Sequence, residues 1–256
     1  MVIKLTDAAK YYKALPGQVK AFHYLQELMT ERELQHFAKL YRDNDIKPMM
    51  KSIGEIRAEH PITRKIVSRI ISLGFELKAN EAYIVGMRGM NPDLSHNDNM
   101  IDEWNDCCGV LYIQPNLVAR FCGPFKCTTD SGKHYVMNPL NPLGAAIVPS
   151  DSYNRHVWMR GRHRNQSRCL IQQGNPITVA RDSNKNGKHD SYESLKSGWY
   201  GINFHRNNNS MSSSIGRWSA GCTVTKRDSD HLRCMNYLDK VAGKQQKFTY
   251  ILLGKF

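Results

Sequence analysis

The sequence predicts an α+β protein, with a helical module over residues 1–78 followed by a mainly antiparallel β domain over residues 79–256. Two observations lead to this prediction. Up to about residue 75, apolar residues recur every three or four positions, which is the period of a helix with one buried face. From about residue 80, short apolar and β-branched runs are separated by Gly, Pro and Asn clusters, as is typical of strands joined by turns.

Three helices are expected in the first module. Pro16 suits the first turn of one helix, where its missing N–H is not needed. Thr30 and Glu33 form a capping box, in which each side chain satisfies a free N–H at the start of the second helix. Pro61 opens a third helix, whose apolar positions are Ile66, Ile70, Ile71 and Leu73.

The β domain is expected to end with a helix and a closing strand. The helix is predicted over 230–241 and the strand over 248–253. Earlier strands are predicted at 82–87, 109–113, 144–148 and 176–180. No internal repeat or low-complexity tract indicates a further domain.

The composition is that of a globular chain with a strong excess of positive charge. The hydrophobic fraction is 41%, and no apolar run is long enough to form a membrane-spanning helix. Thirty-six Lys and Arg against 23 Asp and Glu give a formal net charge of +13, which favours a polyanionic partner. Nucleic acid and an anionic cell wall fit this charge equally well, so a nucleic-acid binder remains an alternative. It is less expected, since the chain shows no zinc-finger spacing, RNP box or basic heptad region.

The N-terminus and the cysteines indicate a reduced, cytoplasmic site of synthesis. No signal-peptide core or cleavage site is present at the N-terminus. The seven cysteines form an odd set without repeated spacing and are expected to be thiols. Neither a Cys-x2-Cys ribbon nor a His-Glu-x-x-His motif indicates zinc.

The most informative stretch surrounds Cys222. His205 precedes it by 17 positions (222 − 205 = 17), and small residues at 219–221 permit a tight turn. Two short strands around these residues are expected to pair, and a nearby imidazole can take the proton of a thiol to make it a nucleophile. The N–H groups of Gly221 and Cys222 would then face a developing oxyanion. The alternative is a buried structural thiol beside a structural histidine, since most free cysteines are buried and inert.

This stretch resembles the L,D-transpeptidase (YkuD-like) family of cysteine enzymes, which process the peptide stems of bacterial cell walls. The family signature is a His, a gap of comparable length, and then Ser/Thr-His-Gly-Cys. Here Ala220 replaces the usual second histidine, and Val224 stands where an Arg or Asn is usual. A divergent branch in phage and bacterial genomes is more similar, with Gly-Ile-Asn-x-His, Ser-Ala-Gly-Cys and runs like those at 88–92 and 179–187. The resemblance extends over about residues 80–256.

The resemblance implies an L,D-transpeptidase-type catalytic domain that acts on peptidoglycan. Cys222 would attack a stem-peptide carbonyl, and His205 would be the base, oriented by a backbone carbonyl. The residues expected to bind substrate are His163, Ser219, Trp218 and Arg217. The arginines around His163, over residues 160–164, are otherwise expected on a solvated basic strand that meets anionic polymer.

The same resemblance suggests a phage endolysin. Loss of the second histidine favours hydrolysis over transpeptidation, and without a signal peptide the enzyme would reach the wall through holin-type release or from a virion. Residues 15–26 resemble a short helical module found beside peptidoglycan-acting domains in cyanobacterial and cyanophage proteins, which suggests that the helical module binds the wall or a partner. The alternative is a non-catalytic cell-wall-binding or virion structural protein that keeps the fold for its shape.

Residues 182–193 match the calcium-loop pattern Asp-x-Asn-x-Asn-Gly-x5-Glu. The oxygen donors would be Asp182, Asn184, Asn186, Asp190 and Glu193. A strand-like segment before the loop, and Lys185 and Lys188 inside it, favour a plain polar turn over a cation site. Ca²⁺ is therefore a candidate ligand of this loop, while the thiol chemistry itself requires no cofactor.

Overall fold

The computed structural model of the chain describes residues 56–164, 167–190, 193–208 and 211–256. The two helices predicted at Pro16 and at Thr30 lie outside these residues. The chain divides into two compact units, one of residues 1–81 with 113–120 and the other of residues 82–112 with 121–256. None of the helices in the described residues has the length and apolar character needed to cross a lipid bilayer.

In the first unit, helix α1 spans Pro61–Ser72, as its sequence predicts. The ring of His60 caps the helix, since its Nδ1 accepts the N–H of Ile62 at 3.3 Å. Pro61 follows the cap, where a missing N–H costs nothing. Ile66 and Ile70, four positions apart, are completely buried, which confirms the predicted apolar face.

Eleven strands and two further helices follow α1 within the described residues. The helices are α2 (Lys133–Met137) and α3 (Asp228–Ala242). The strands are β1 (Ala82–Met87), β2 (Asp106–Ile113), β3 (Ala119–Thr128), β4 (Ala145–Ile147), β5 (Ser152–His163), β6 (Ser167–Gln172), β7 (Ile177–Asp182), β8 (Lys196–Gly198), β9 (Phe204–Arg206), β10 (Thr223–Thr225) and β11 (Lys247–Leu253).

Eight of these strands close into a barrel in the order β1-β11-β5-β6-β9-β10-β3-β2, and a second sheet has the order β4-β7-β8. Most pairs are antiparallel, whereas β1 with β11 and β9 with β10 run parallel. The predicted mixture of helices with a mainly antiparallel β domain is therefore confirmed. The predicted strands fall on β1, β2, β4, β7 and β11, and the predicted helix near the C-terminus is α3.

An aromatic stack fills the barrel next to the strands that hold the candidate site. The ring of Trp158 on β5 stacks on Tyr250 with centroids 4.4 Å apart, and on Phe204 at 5.9 Å. All three side chains are buried, and the indole N–H of Trp158 donates to the carbonyl of Ile202 at 2.7 Å. This bond fixes the chain just before β9, which carries His205.

The Arg88-Gly89 run, which contributes to the family resemblance, forms a buried polar network. The guanidinium of Arg88 pairs with Asp130 at 2.9 Å and donates to the carbonyl of Thr129 at 3.1 Å. The carboxylate of Asp106 accepts the N–H groups of Gly89 and Thr129, both at 2.7 Å. Because buried charges require partners, this network holds the ends of β1, β2 and β3 together.

Candidate active site

The parallel pair β9–β10 brings His205 and Cys222 to one cavity. Thr223 is the register partner of Phe204, Val224 is that of His205, and the Thr223 N–H donates to the Asn203 carbonyl at 2.9 Å. The predicted pairing of these two short strands is therefore confirmed. Cys222 lies at the entry to β10, and both side chains line a cavity of about 360 Å³.

The turn before Cys222 is tied together by Ser219. The Ser219 hydroxyl donates to the Cys222 carbonyl at 2.8 Å and accepts the Gly221 N–H at 3.1 Å. Ser219 is almost completely buried and is not among the residues that line the cavity, so its predicted contact with substrate is not seen. Its hydroxyl instead fixes the turn that presents the sulfur.

Only glycine fits at position 221. Its φ is +119°, a backbone conformation that residues with a side chain rarely adopt, and a Cβ there would lie 2.7 Å from the Ala146 carbonyl oxygen. Because the Gly221 N–H already donates to Ser219, it does not face the cavity as an oxyanion donor. The N–H of Cys222 has no acceptor among the described residues. It is therefore the amide that can donate a hydrogen bond to an oxyanion.

His205 is held in one tautomer by the backbone. Its Nδ1 lies 2.9 Å from the carbonyl oxygen of Arg206, which can only accept a hydrogen bond. Nδ1 therefore carries the proton and Nε2 keeps its lone pair. Burial lowers the pKa of His205 to about 3, and the nearby His163 acts in the same direction. The ring is neutral at pH 7 and can accept a proton.

The Cys222 thiol is protonated in the resting protein. Its side chain is 9% exposed and packs with Trp104, Ile215 and Val224. Burial raises the pKa of the thiol to about 11, against the opposing effect of the Asn203 N–H, which donates to Sγ at 3.4 Å. No hydrogen bond joins Sγ to the His205 ring within the described residues. The resting pair is therefore a neutral thiol and a neutral imidazole.

His163 lies against His205 at the edge of the cavity. The two rings are stacked with centroids 4.1 Å apart and an angle of 10° between their planes. Burial, assisted by Arg164, lowers the pKa of His163, so this ring is also neutral at pH 7. His163 is the last residue of β5, and in the barrel β6 lies between β5 and β9, so its ring reaches His205 across β6.

The other walls of the cavity come from separate parts of the β domain. Arg217 and Trp218 line it, as the sequence predicts. Sequence reasoning missed Tyr135, Arg181 and Tyr200, which also line it. These three residues are far apart along the chain and belong to no common motif, so no local signal could have identified them.

The residues of the candidate calcium loop bond mainly to one another. The Asp182 carboxylate is fully buried and accepts the N–H groups of Asn186 and Gly187 at 3.0 and 2.8 Å. Oδ2 of Asp190 accepts both side-chain amides, from Asn184 and Asn186, at 2.8 Å each. These are the hydrogen bonds of a polar turn, in which side chains replace backbone partners.

The last predicted ligand of this loop, Glu193, is used in the same way. Its two carboxylate oxygens accept the N–H groups of Ser183 at 2.9 Å and Asp190 at 3.1 Å. Strand β7 leads into the loop, as predicted, in place of the helix that enters an EF-hand. Among the described residues, no group of three or more His, Cys, Asp or Glu side chains is arranged to hold a metal ion.

The chain matches no protein-family model, no curated protein and no solved structure.

Proposed function

We propose that this protein is a cysteine enzyme that cleaves or exchanges peptide bonds in the stem peptides of peptidoglycan. The observation that carries the proposal is the arrangement of His205. Its Nδ1 is bonded to the Arg206 carbonyl, and it shares the cavity with Cys222. An imidazole whose tautomer is fixed in this way presents an unprotonated Nε2, which is the state that a general base needs.

The reaction begins when a substrate carbonyl enters the cavity beside Sγ. Nε2 of His205 takes the thiol proton while Sγ attacks the carbonyl carbon, and the Cys222 N–H receives the negative oxygen. Collapse of this tetrahedral intermediate breaks the C–N bond. The leaving amine takes the proton from the imidazolium, and the acyl group remains on sulfur as a thioester.

The second half of the reaction releases the acyl group. Water, or an acceptor amine, gives a proton to His205 as it attacks the thioester carbon. The thiolate leaves and recovers that proton, so the resting thiol and imidazole are restored. Hydrolysis is favoured over transfer because Ala220, a cavity residue, stands where the resembling enzymes carry a second histidine.

In the proposed mechanism, proton transfer and attack occur together. With the pKa of the thiol near 11 and that of the imidazole near 3, a separate thiolate–imidazolium pair is costly in this buried site. The thiol is therefore expected to react slowly with reagents that need a preformed thiolate, and faster with a bound peptide.

The finer assignment is a divergent L,D-transpeptidase-like enzyme of the phage endolysin type, and it rests on the sequence resemblance. The excess of positive charge supports binding to an anionic wall. In this setting the protein is made in the cytoplasm and reaches peptidoglycan through holin-type release or from a virion.

Digestion of purified peptidoglycan, followed by mass analysis of the soluble fragments, tests the proposal. Wild-type protein is expected to release cleaved or exchanged stem peptides, and Cys222→Ala is expected to release none. Cys122→Ala is the matched control, because Cys122 is a half-buried thiol that does not line the cavity. Products that survive Cys222→Ala would contradict the proposal.

A non-catalytic wall-binding protein is the second candidate, and the raised pKa of the Cys222 thiol favours it. It predicts that the protein sediments with peptidoglycan but releases no fragments from walls of several hosts, with or without calcium. It also predicts that Cys222→Ala sediments as well as wild type.

A further inference from the structure

The side chains that carry charge in the walls of the active-site cavity are all arginines. Arg164, Arg181 and Arg217 line it, together with the neutral rings of His163 and His205. No Asp or Glu is among the described residues that form its walls. A one-sided set of charges in a cleft concentrates ligands of the opposite sign.

Two of these arginines make no side-chain contact with a polar group in the part of the chain that the structure describes. Within the described residues, neither Arg164 nor Arg217 makes a hydrogen bond or an ion pair through its side chain, and both are exposed. Arg206, by contrast, is paired with Asp228 at 2.6 Å. The guanidinium groups of Arg164 and Arg217 are therefore available to a ligand in the cavity.

The third arginine is held in place. Nη1 of Arg181 lies 3.4 Å from the Gly144 carbonyl, and its guanidinium lies 4.9 Å from the centre of the Tyr200 ring. A cation over an aromatic face is stabilised by the charge distribution of the ring. Arg181 is thus held against the wall of the cavity, whereas Arg164 and Arg217 make no such contact within the described residues.

Arg164 also lies close enough to the reacting groups for its charge to act on them. Its charge lowers the pKa values of Cys222, His163 and His205. A group bound by Arg164 would therefore lie near the carbonyl that Sγ attacks. Guanidinium groups present paired N–H donors that match the two oxygens of a carboxylate.

We propose that the cavity selects peptides that carry a free carboxylate near the carbonyl attacked by Cys222, with Arg164 and Arg217 as the groups that bind it. This inference rests on the proposed function and deepens it by naming the substrate class. A peptide in which that carboxylate is a carboxamide would leave both cations unpaired, and its carbonyl would not be held beside the sulfur.

Binding to the Cys222→Ala variant tests the inference without any chemistry. The probes are a synthetic peptidoglycan stem tetrapeptide with free carboxylates and the same peptide with those groups as carboxamides, measured by calorimetry. The free acid is expected to bind at least about tenfold more tightly, since a charge-assisted hydrogen bond contributes about that factor or more. Equal affinities would overturn the inference.

Charge variants assign the effect to the cavity. In the Cys222→Ala background, Arg164→Gln and Arg217→Gln are each expected to weaken binding of the free acid about tenfold and to leave the carboxamide unchanged. Arg155→Gln is the matched control, because Arg155 is an exposed arginine on β5 outside the cavity. An equal loss in the Arg155→Gln variant would show a general charge effect and overturn the inference.

The two proposals fail in different ways. Equal binding of acid and carboxamide, with peptidoglycan digestion that depends on Cys222, would remove the carboxylate site and leave the enzyme. Tight, arginine-dependent binding of the acid with no digestion by wild-type protein would leave the carboxylate site and remove the enzyme.

Discussion

The turn at Cys222 and the loop over residues 182–193 are both built from small and polar residues, but they use their polar groups differently. In the loop, Asp182, Asp190 and Glu193 accept hydrogen bonds from the loop itself. At the turn, Ser219 satisfies the backbone, while Cys222 and His205 face a cavity. A pattern of residue types therefore indicates chemistry only where reactive groups remain free to meet a ligand.

The free energy that a ligand could gain by binding differs between the loop and the site, because only the site has reactive groups that face a cavity. Hydrogen bonds within the loop stabilise the fold and leave little for a cation to gain. At the site, burial holds the thiol and the imidazole in neutral forms that water would otherwise help to ionise. A substrate that supplies polar groups to this cavity can stabilise the ionised forms of the thiol and the imidazole. A solute near the loop finds few such groups without a partner among the described residues.

Removing the imidazole should produce the largest effect. His205→Ala is expected to lower kcat/KM on a stem peptide roughly 10²–10⁴-fold, because a positioned base contributes about that much to proton transfer. Steady-state release of cleaved peptide measures it. His189→Ala, which removes an exposed histidine of the 182–193 loop, is the control and should keep wild-type activity. Equal losses of kcat/KM in the two variants would show that His205 is no more important for the reaction than a histidine of the loop.

Gly221→Ala should destabilise the fold through the turn. The substitution introduces backbone strain at φ +119°, and it places a Cβ 2.7 Å from the Ala146 carbonyl oxygen. Each effect costs roughly 1–3 kcal/mol, so the free energy of unfolding should fall by about 3 kcal/mol. Denaturant unfolding measures this change.

Gly201→Ala is the matched control for this substitution. Gly201 also has a positive φ, of +71°, but a Cβ there would meet nothing within 4 Å. It should cost only the strain of a left-handed residue, about 1–2 kcal/mol. A Gly221→Ala variant no less stable than Gly201→Ala would show that the turn tolerates a side chain.

The pH dependence of thiol alkylation should show whether the Cys222 thiol is protonated in the resting protein. Because burial raises the pKa of Cys222 to about 11, the thiolate fraction increases about tenfold per pH unit below that value. The rate of modification by iodoacetamide should therefore rise about tenfold for each pH unit between about pH 7 and 10. The mass increase of the peptide that contains Cys222, followed over time, measures this rate. A rate already constant at pH 7 would show a preformed thiolate instead.

Calcium should have the smallest effect. Since the carboxylates of Asp182, Asp190 and Glu193 already accept hydrogen bonds, millimolar Ca²⁺ is expected to leave the thermal midpoint of unfolding unchanged. Differential scanning calorimetry with Ca²⁺ and with a chelator measures this. A rise in the midpoint that is lost in Asp182→Asn would identify the loop as a cation site after all.

Local patterns in the sequence predicted the elements of the site. The run at 82–87 coincides with β1, and the short segments that carry His205 and Cys222 pair as expected. Such predictions succeed because the alternation of apolar and turn residues reports local structure. The tight turn before Cys222 was predictable from Ser219, Ala220 and Gly221 for the same reason.

Long-range features of the site were not predictable. The sequence placed an oxyanion donor at Gly221 and a substrate contact at Ser219, but these two groups bond to each other. His163 stacks on His205, and Arg181 lines the cavity, only because strands that are distant along the chain lie close together in the fold. Closure of the barrel brings the two histidines together, and the separate β4-β7-β8 sheet supplies Arg181 on β7. No short stretch of sequence encodes either arrangement.

The proposed reaction requires Cys222 to carry the acyl group of a peptide. The protein would be mixed briefly with a peptidoglycan stem tetrapeptide and quenched in acid, and the masses of the intact protein and of its peptides would be measured. An added acyl mass is expected on the peptide that contains Cys222, present in wild type and absent from Cys222→Ala. An acyl adduct on another residue, or peptide cleavage that continues in Cys222→Ala, would contradict it.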